Sequence, residues 1–246
     1  MTRHAIVTGA SSGIGAACAR ALGKLGYSLS LGARRADRLP AVVPGAFCHP
    51  LDVTRATSVE QFLAAATAAH GPIDVLVNNA GLARGTEKIA EATGEAWREM
   101  IETNVLGLLE VTRRVLPQMI ERKQGHVFVI GSVAGHKAYA GGSVYCASKR
   151  ALQPICEAMR LETLGTGVRV TSIDPGLVET EFSVVRFRGD QERAAKVYAD
   201  TRPLTADDIA DCLVFAVTRP PRVNIDQMLV MPTDQVGPHH IHRGGR

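Results

Sequence analysis

The sequence predicts an α/β chain built on a parallel sheet with helices on both faces. Three observations carry that reading. Short runs rich in Val, Ile and Leu alternate with longer Ala-rich segments of helical period, the pattern of repeated βαβ units. Most of the short runs are continuously apolar, as strands are when both faces of their sheet are covered. A glycine-rich turn from Gly9 to Gly15 ends the first run and opens the first helical segment.

Strands are expected over 4–8, 28–33, 46–51, 73–78, 126–132, 167–173 and 226–231. Helical period runs over 13–25, 56–70, 95–121, 143–164 and 205–218. Asn104 falls in the middle of 95–121, and Asn is a poor interior helix residue, so a local kink with a functional amide is expected there. Pro154 lies inside 143–164 and should kink that helix or remove one backbone bond. Pro40, Pro44, Pro50 and Pro117 fall near the ends of most segments or outside them.

Residues 175–204 break the alternation. They open on Pro175-Gly176, pass through a polar and basic run around Arg186, and end in a short helical patch near 191–199. An insertion of this length between the sixth strand and the last helix reads as a substrate lid or specificity loop rather than a linker. Residues 1–237 then form one domain, and 238–246 a tail. The tail has three His in four positions, which could hold a metal. No further ligand is suggested, a tail or subunit contact fits better, and no metal site is assigned.

The chain has 246 residues, about 1.6 times a typical ~150-residue domain, and buries enough surface to need no disulfide or metal staple. Its 46% hydrophobic and 21% charged content excludes a disordered, collagen-like or coiled-coil chain. The net charge of +4 is spread without basic blocks, and aromatic content is 4%, which argues against a nucleic-acid binder. Five scattered cysteines without a CxxC pair argue against a disulfide framework and a zinc site. With no run long enough to span a membrane, a cytoplasmic protein is expected.

The turn Thr8-Gly9-Ala10-Ser11-Ser12-Gly13-Ile14-Gly15 lets backbone N–H groups approach a pyrophosphate at the positive end of a helix. Its spacing, Gly-x3-Gly-x-Gly, differs from the common dinucleotide fingerprint, so a turn that is merely glycine-rich remains an alternative. At the end of the second strand, an acid that would bind a ribose 2′-hydroxyl is missing, and Arg34-Arg35 stand there. Their planar donor forks suit a 2′-phosphate, although arginines after a strand are often simply solvated. Asn78-Asn79-Ala80-Gly81 closes the fourth strand with residues small enough for a ribose to lie close, and Asp52-Val53 stands where an adenine edge could be read.

Tyr145 and Lys149, at i and i+4 of a helix, share one face. An ammonium one turn away favours the phenolate, and a tyrosine of lowered pKa suits acid–base work on an alcohol or carbonyl. An incidental surface pair is the alternative. Ser132 ends the fifth strand, where ligands of parallel sheets sit, and could donate to a substrate oxygen.

Six motifs in register over residues 4–231 (Thr8-Gly9-x3-Gly13-x-Gly15, Asn78-Asn79-Ala80-Gly81, Asn104, Ser132, Tyr145-x3-Lys149 and Pro175-Gly176-x3-Thr180) make the chain resemble a short-chain dehydrogenase/reductase. The resemblance implies a Rossmann-like, doubly wound, seven-stranded parallel sheet and a nicotinamide dinucleotide. It implies that Tyr145 is the acid/base, that Ser132 orients the reacting oxygen and that Asn104 supports a water-linked proton relay. Lys149 would lower the tyrosine pKa and hold the nicotinamide ribose. Thr180 would touch the carboxamide, with Pro175, Gly176 and Val178 alongside, and Arg34 and Arg35 would select NADP. A homotetramer or dimer is implied, with 95–121 and 143–164 as faces.

The stretch Gly176 to Asp190, with Pro203-Leu204-Thr205 and Val223-Asn224-Ile225, is similar to the branch of NADP-dependent 3-hydroxy acid (serine or L-allo-threonine) dehydrogenases. A carboxylate substrate needs a cation, and Arg186 is the candidate clamp, with a structural or intersubunit ion pair as its alternative. Rival functions are a reductase of neutral ketones, aldehydes or 3-oxoacyl thioesters, which expects Arg186 to face away, and a non-catalytic dinucleotide sensor. Asp174 before Pro175 departs from the family pattern without an evident reason.

Overall fold

Strand alternation divides the core of this chain into two layers. In the computed structural model, which describes residues 2–244, the strands are β1 (His4–Thr8), β2 (Ser28–Ala33), β3 (Phe47–Pro50), β4 (Val75–Asn78), β5 (Gly125–Ile130), β6 (Val168–Pro175) and β7 (Gln227–Val230). They form one parallel sheet in the order β3-β2-β1-β4-β5-β6-β7. Ala5, Val7, Val75, Val77, Phe128 and Ile130 point to one face and meet α1 (Gly13–Lys24) and α9 (Ala206–Val217). Ile6, Leu76, Val127 and Val129, the intervening positions, meet α2 (Ala56–His70), α4 (Gly107–Glu121) and α6 (Leu152–Glu162) on the other. Burying one such Phe or Leu side chain contributes about 1.5–3 kcal/mol, so each layer is a large part of the fold's stability.

The remaining helices are α3 (Gly94–Ile101), α5 (Ser143–Arg150), α7 (Phe182–Arg186) and α8 (Gln191–Tyr198). The break expected in 95–121 is a π-turn at Glu102–Leu106 between α3 and α4. The segment 143–164 is two helices, joined at Ala151. Pro154 therefore lies in the first turn of α6 instead of a helix interior, where a missing N–H costs little. Pro117, in contrast, sits inside α4, one turn from its end, and the helix runs through it.

Residues 238–243 are not a loose tail. Gln235 and Ile241 form an antiparallel bridge, His242 N donates to Asp234 O at 2.7 Å, and Arg243 reaches the carbonyls of Val197 and Ala199 at the end of α8. Gly245 and Arg246 lie outside the described residues. β2 and β3 lie to one side of β1, and β4 to β7 to the other, so the carboxyl ends of β1 and β4 flank the point where the strand order reverses. Ligands of open α/β sheets bind at that point.

Candidate active site

A single cleft runs across the carboxyl ends of the strands from Arg34 and Arg35 to Arg186 and Pro238. It is lined by Gly9, Ser11, Ser12, Gly13 and Ile14 of the glycine turn, Asp52 and Val53 after β3, Asn79, Ala80 and Gly81 after β4, and Ser132, Tyr145 and Lys149. Pro175, Gly176, Val178 and Thr180 complete it below Arg186.

The glycine turn is held in shape by β4. Asn79 Nδ2 donates to the carbonyls of Thr8 (2.9 Å) and Gly9 (3.1 Å), and Thr8 Oγ1 accepts from the N–H of Asn79 and Ala80. Gly9 has φ +65°, and a Cβ there would lie 2.9 Å from the Ala80 Cα, so the close approach requires glycine. Gly15 is buried behind the turn against Asn79 and does not line the cleft. Ser12, the residue before α1, makes no side-chain cap, which leaves the helix's first N–H groups to a bound anion.

Arg35 reaches back to this turn, with Nη2 donating to Ser12 Oγ at 2.9 Å and Ser11 Oγ at 3.4 Å, while Arg34 is exposed at the mouth. Arg35 and Arg38 both pair with Glu181 from the far wall. Burial pushes the Glu181 carboxyl up, but the Arg35 hydrogen bond and the two guanidinium charges hold it below the usual range. The uncapped helix end, the tight turn and the guanidinium pair together fit a phosphorylated dinucleotide. Asp52 is engaged locally, accepting from Thr54 N and Oγ1.

At the other half of the cleft, Ser132 lies two residues beyond β5 and its hydroxyl accepts from Ala134 N. Burial pushes Tyr145 up to about 12, against the Arg186 charge and the Ser132 hydroxyl. Burial brings Lys149 down to about 8, against the pull of Asp174, and its Nζ donates to Ile130 O at 2.9 Å. Arg186 is thus a cation beside Tyr145 that the sequence does not single out for this part. The Arg186 guanidinium carbon lies 5.1 Å from the Tyr145 ring centroid and 5.3 Å from that of Phe182, and Nη2 donates to Tyr139 Oη at 3.0 Å. Its Nε is buried and has no hydrogen-bond partner among the described residues. Arg186 faces the cleft.

Asn104, in the π-turn, stands behind the cleft rather than in it. Its Nδ2 donates to Leu82 O and Ser148 Oγ, and its Oδ1 accepts from Leu82 N. Both amide hydrogens are used, so the side chain fixes Leu82 and α5 behind the site. Asp174 finds its reason here too. Nearly fully buried, it accepts from Ser172 Oγ, His136 Nε2 and Gln227 Nε2 at 2.6–2.8 Å. It fills the space a side chain at 131 would need: a Cβ on Gly131 would lie 1.8 Å from its Oδ1.

Tyr139, Phe182, Tyr198, Gln235 and Pro238 also line the cleft and were not found by sequence. The aromatic-glycine stretch around Tyr139 was a signal for the first; the last, Pro238, opens the segment read as a tail. His239 packs edge-on against Tyr139, with centroids 4.7 Å apart. No group of three or more His, Cys, Asp or Glu among the described residues could hold a metal.

The chain is 42% identical over 247 residues to an NADP-dependent 3-hydroxy acid dehydrogenase of Schizosaccharomyces pombe, covering 97% of this chain and 95% of that protein. It is 41% identical to the serine 3-dehydrogenase of Agrobacterium fabrum, covering 96% of each. Among solved structures, the closed form of a serine dehydrogenase complexed with NADP+ superposes with a TM-score of 0.92 at 41% identity, covering 98% of this chain and 99% of that one. The family model described as short chain dehydrogenase matches residues 3–191. With the sheet order, the glycine turn and the Ser132, Tyr145 and Lys149 cluster in one cleft, the chain belongs to the short-chain dehydrogenase family.

Proposed function

We propose that this protein is an NADP(H)-dependent oxidoreductase whose substrate is a short 3-hydroxy acid or the matching 3-oxo acid. The bound nicotinamide supplies or accepts the hydride. The glycine turn and the start of α1 bind the pyrophosphate, and Arg34 and Arg35 bind the 2′-phosphate. Asp52, Val53, Asn79, Ala80 and Gly81 line the adenine and ribose path, and Thr180 the carboxamide end. Relatives and a solved structure named for NADP support the choice of cofactor.

Tyr145 holds the proton that moves between its oxygen and the substrate hydroxyl. Its desolvated phenol resists ionisation; the Arg186 charge offsets part of that cost, and the Lys149 ammonium, one helix turn away, adds to it at the moment of transfer. Ser132 orients the reacting oxygen, and Asn104 is a positioning residue behind both. Residues 175–204 act as the substrate lid, with α7 carrying Arg186 over Tyr145.

The observation that carries the substrate class is the Arg186 guanidinium. It is part-buried beside Tyr145, has an unpaired Nε, and has no carboxylate partner among the described residues. A buried donor without a partner is costly unless a ligand supplies one, and a carboxylate can take two guanidinium N–H groups at once. A neutral ketone offers no such partner for the unpaired Nε. Exposed Leu106, Leu109 and Leu161 on the 95–121 and 143–164 segments support assembly as a homo-oligomer. Five unpaired cysteines support a reducing, cytoplasmic setting.

The test is reduction of NADP+ followed at the nicotinamide absorbance band with L-serine, L-allo-threonine, 3-hydroxypropionate and a neutral secondary alcohol. Arg186→Ala is expected to raise KM for the acids about 10- to 100-fold and to leave KM for the neutral alcohol almost unchanged, since a charge-assisted bond is worth about 1.5–3 kcal/mol. The kcat is expected to fall alike for both, because Tyr145 loses its compensating charge. An equal rise in KM for both classes would discard the hydroxy acid reading.

A further inference from the structure

Among the described residues, Glu181 is the carboxylate that pairs with Arg35 and Arg38 in the proposed 2′-phosphate corner from the opposite wall of the cleft. Its Oε2 lies 2.8 Å from Arg35 Nη1, and its Oε1 and Oε2 lie 3.0 and 3.2 Å from Arg38 Nη1. The same Arg35 holds Ser11 and Ser12 with its other terminal nitrogen. The carboxylate thus occupies donors that a phosphate monoester would need. The side chains are 40–47% exposed, so the pairing is weak and exchangeable. A phosphate brings close to two charges and three acceptor oxygens against one charge and two oxygens, and wins such an exchange.

The carboxylate is also placed to transmit the exchange. Glu181 immediately precedes α7, and its backbone carbonyl accepts from Val185 N in that helix. Arg186, at the far end of α7, is anchored separately: its carbonyl accepts from Gly85 N, and its side chain donates to Tyr139. Glu181 therefore ties the near end of the proposed lid to the cofactor wall, while the substrate end keeps its own supports.

We infer that Glu181 is a built-in stand-in for the 2′-phosphate of NADP(H), a competing carboxylate that holds Arg35 and Arg38 until the phosphate displaces it and so frees the first turn of α7. It sets the affinity for the phosphorylated dinucleotide without touching the hydride chemistry, and it makes seating of the phosphate felt at the lid. The inference rests on the NADP reading above.

The experiment is fluorescence titration of wild-type protein and Glu181→Gln with NADPH and NADH, with adenosine 2′,5′-bisphosphate and 5′-AMP as competing fragments. Gln keeps the size and removes the charge. The expected result is NADPH and the bisphosphate bound about two- to fivefold tighter by E181Q, with NADH and 5′-AMP unchanged, the scale of one exposed ion pair. Unchanged or weaker NADPH binding by E181Q overturns the inference while wild-type preference for NADPH keeps the cofactor reading. Equal wild-type affinity for NADPH and NADH overturns the cofactor reading itself, and the inference with it. Hydrogen exchange at the amides of Val185 and Phe187 supplies the lid arm. The bisphosphate is expected to speed their exchange in the wild type and not in E181Q, and no change in the wild type overturns the coupling.

Discussion

Tyr145 and Lys149 share a helix turn, yet burial shapes each of them more than the other does. The phenol is pushed up to about 12 and the amine down to about 8. Both shifts come chiefly from loss of water, and the largest compensating charge on the phenol is Arg186, from a segment more than thirty residues further along. Tyr145→Phe removes only the hydroxyl; turnover is expected to fall by about 10²–10⁴ while the Kd for NADPH stays within about twofold, as read by stopped-time assays and cofactor fluorescence. Most single residues of the cleft were legible because their motifs are contiguous and fall at strand ends. Asp174 was not, since its partners His136 and Gln227 lie 38 and 53 positions away and nothing local announces them. The Arg186 charge on Tyr145 was hidden for the same reason: helix spacing says which groups of one helix are near, and not which groups of other segments reach them.

At the scale of elements, hydrophobic runs located all seven strands to within about two residues, because a strand covered on both faces is apolar at most of its positions. Where two helices were read as one, the joint at Ala151 carries no breaker; and α7, five residues long, is too short for a period to show. β5 hides a titrating group that its pattern also concealed. His126 is buried, bonds Thr171 Oγ1 through Nε2 at 2.8 Å, and is brought down to about 2 by burial and by the Arg169 charge. The unfolded chain takes up a proton near pH 6.5 and the fold does not. Stability from this ring is therefore complete above that pH and declines by about 1.4 kcal/mol per unit below it, toward pH 2. Chemical unfolding at pH 7 and pH 5 is expected to differ by about 2 kcal/mol more in the wild type than in His126→Val; equal differences would remove His126 from the acid response.

Across the whole molecule, the two halves of the cleft come from opposite ends of the chain. The cofactor half is framed by residues 8–35 and 52–81, and the substrate half is closed by 235–238 and by His239 behind Tyr139. Gln235 fastens that wall, accepting from Leu177 N at 2.7 Å and donating to Gly237 O. Truncation after Gly237 removes Pro238 and His239 and is expected to raise KM for substrate several-fold, with NADPH affinity unchanged, in steady-state assays paired with titration. This arrangement escaped the sequence because a tail and a wall have the same composition; only the return of the chain across β7 distinguishes them. It has a consequence for the protein as it is made. Synthesis delivers the glycine turn first and the substrate wall last. A chain clipped by a protease near residue 237 would keep the groups that grip a dinucleotide while leaving the reacting end open to water, and in a cell such fragments would hold reduced cofactor while using it only slowly at low substrate.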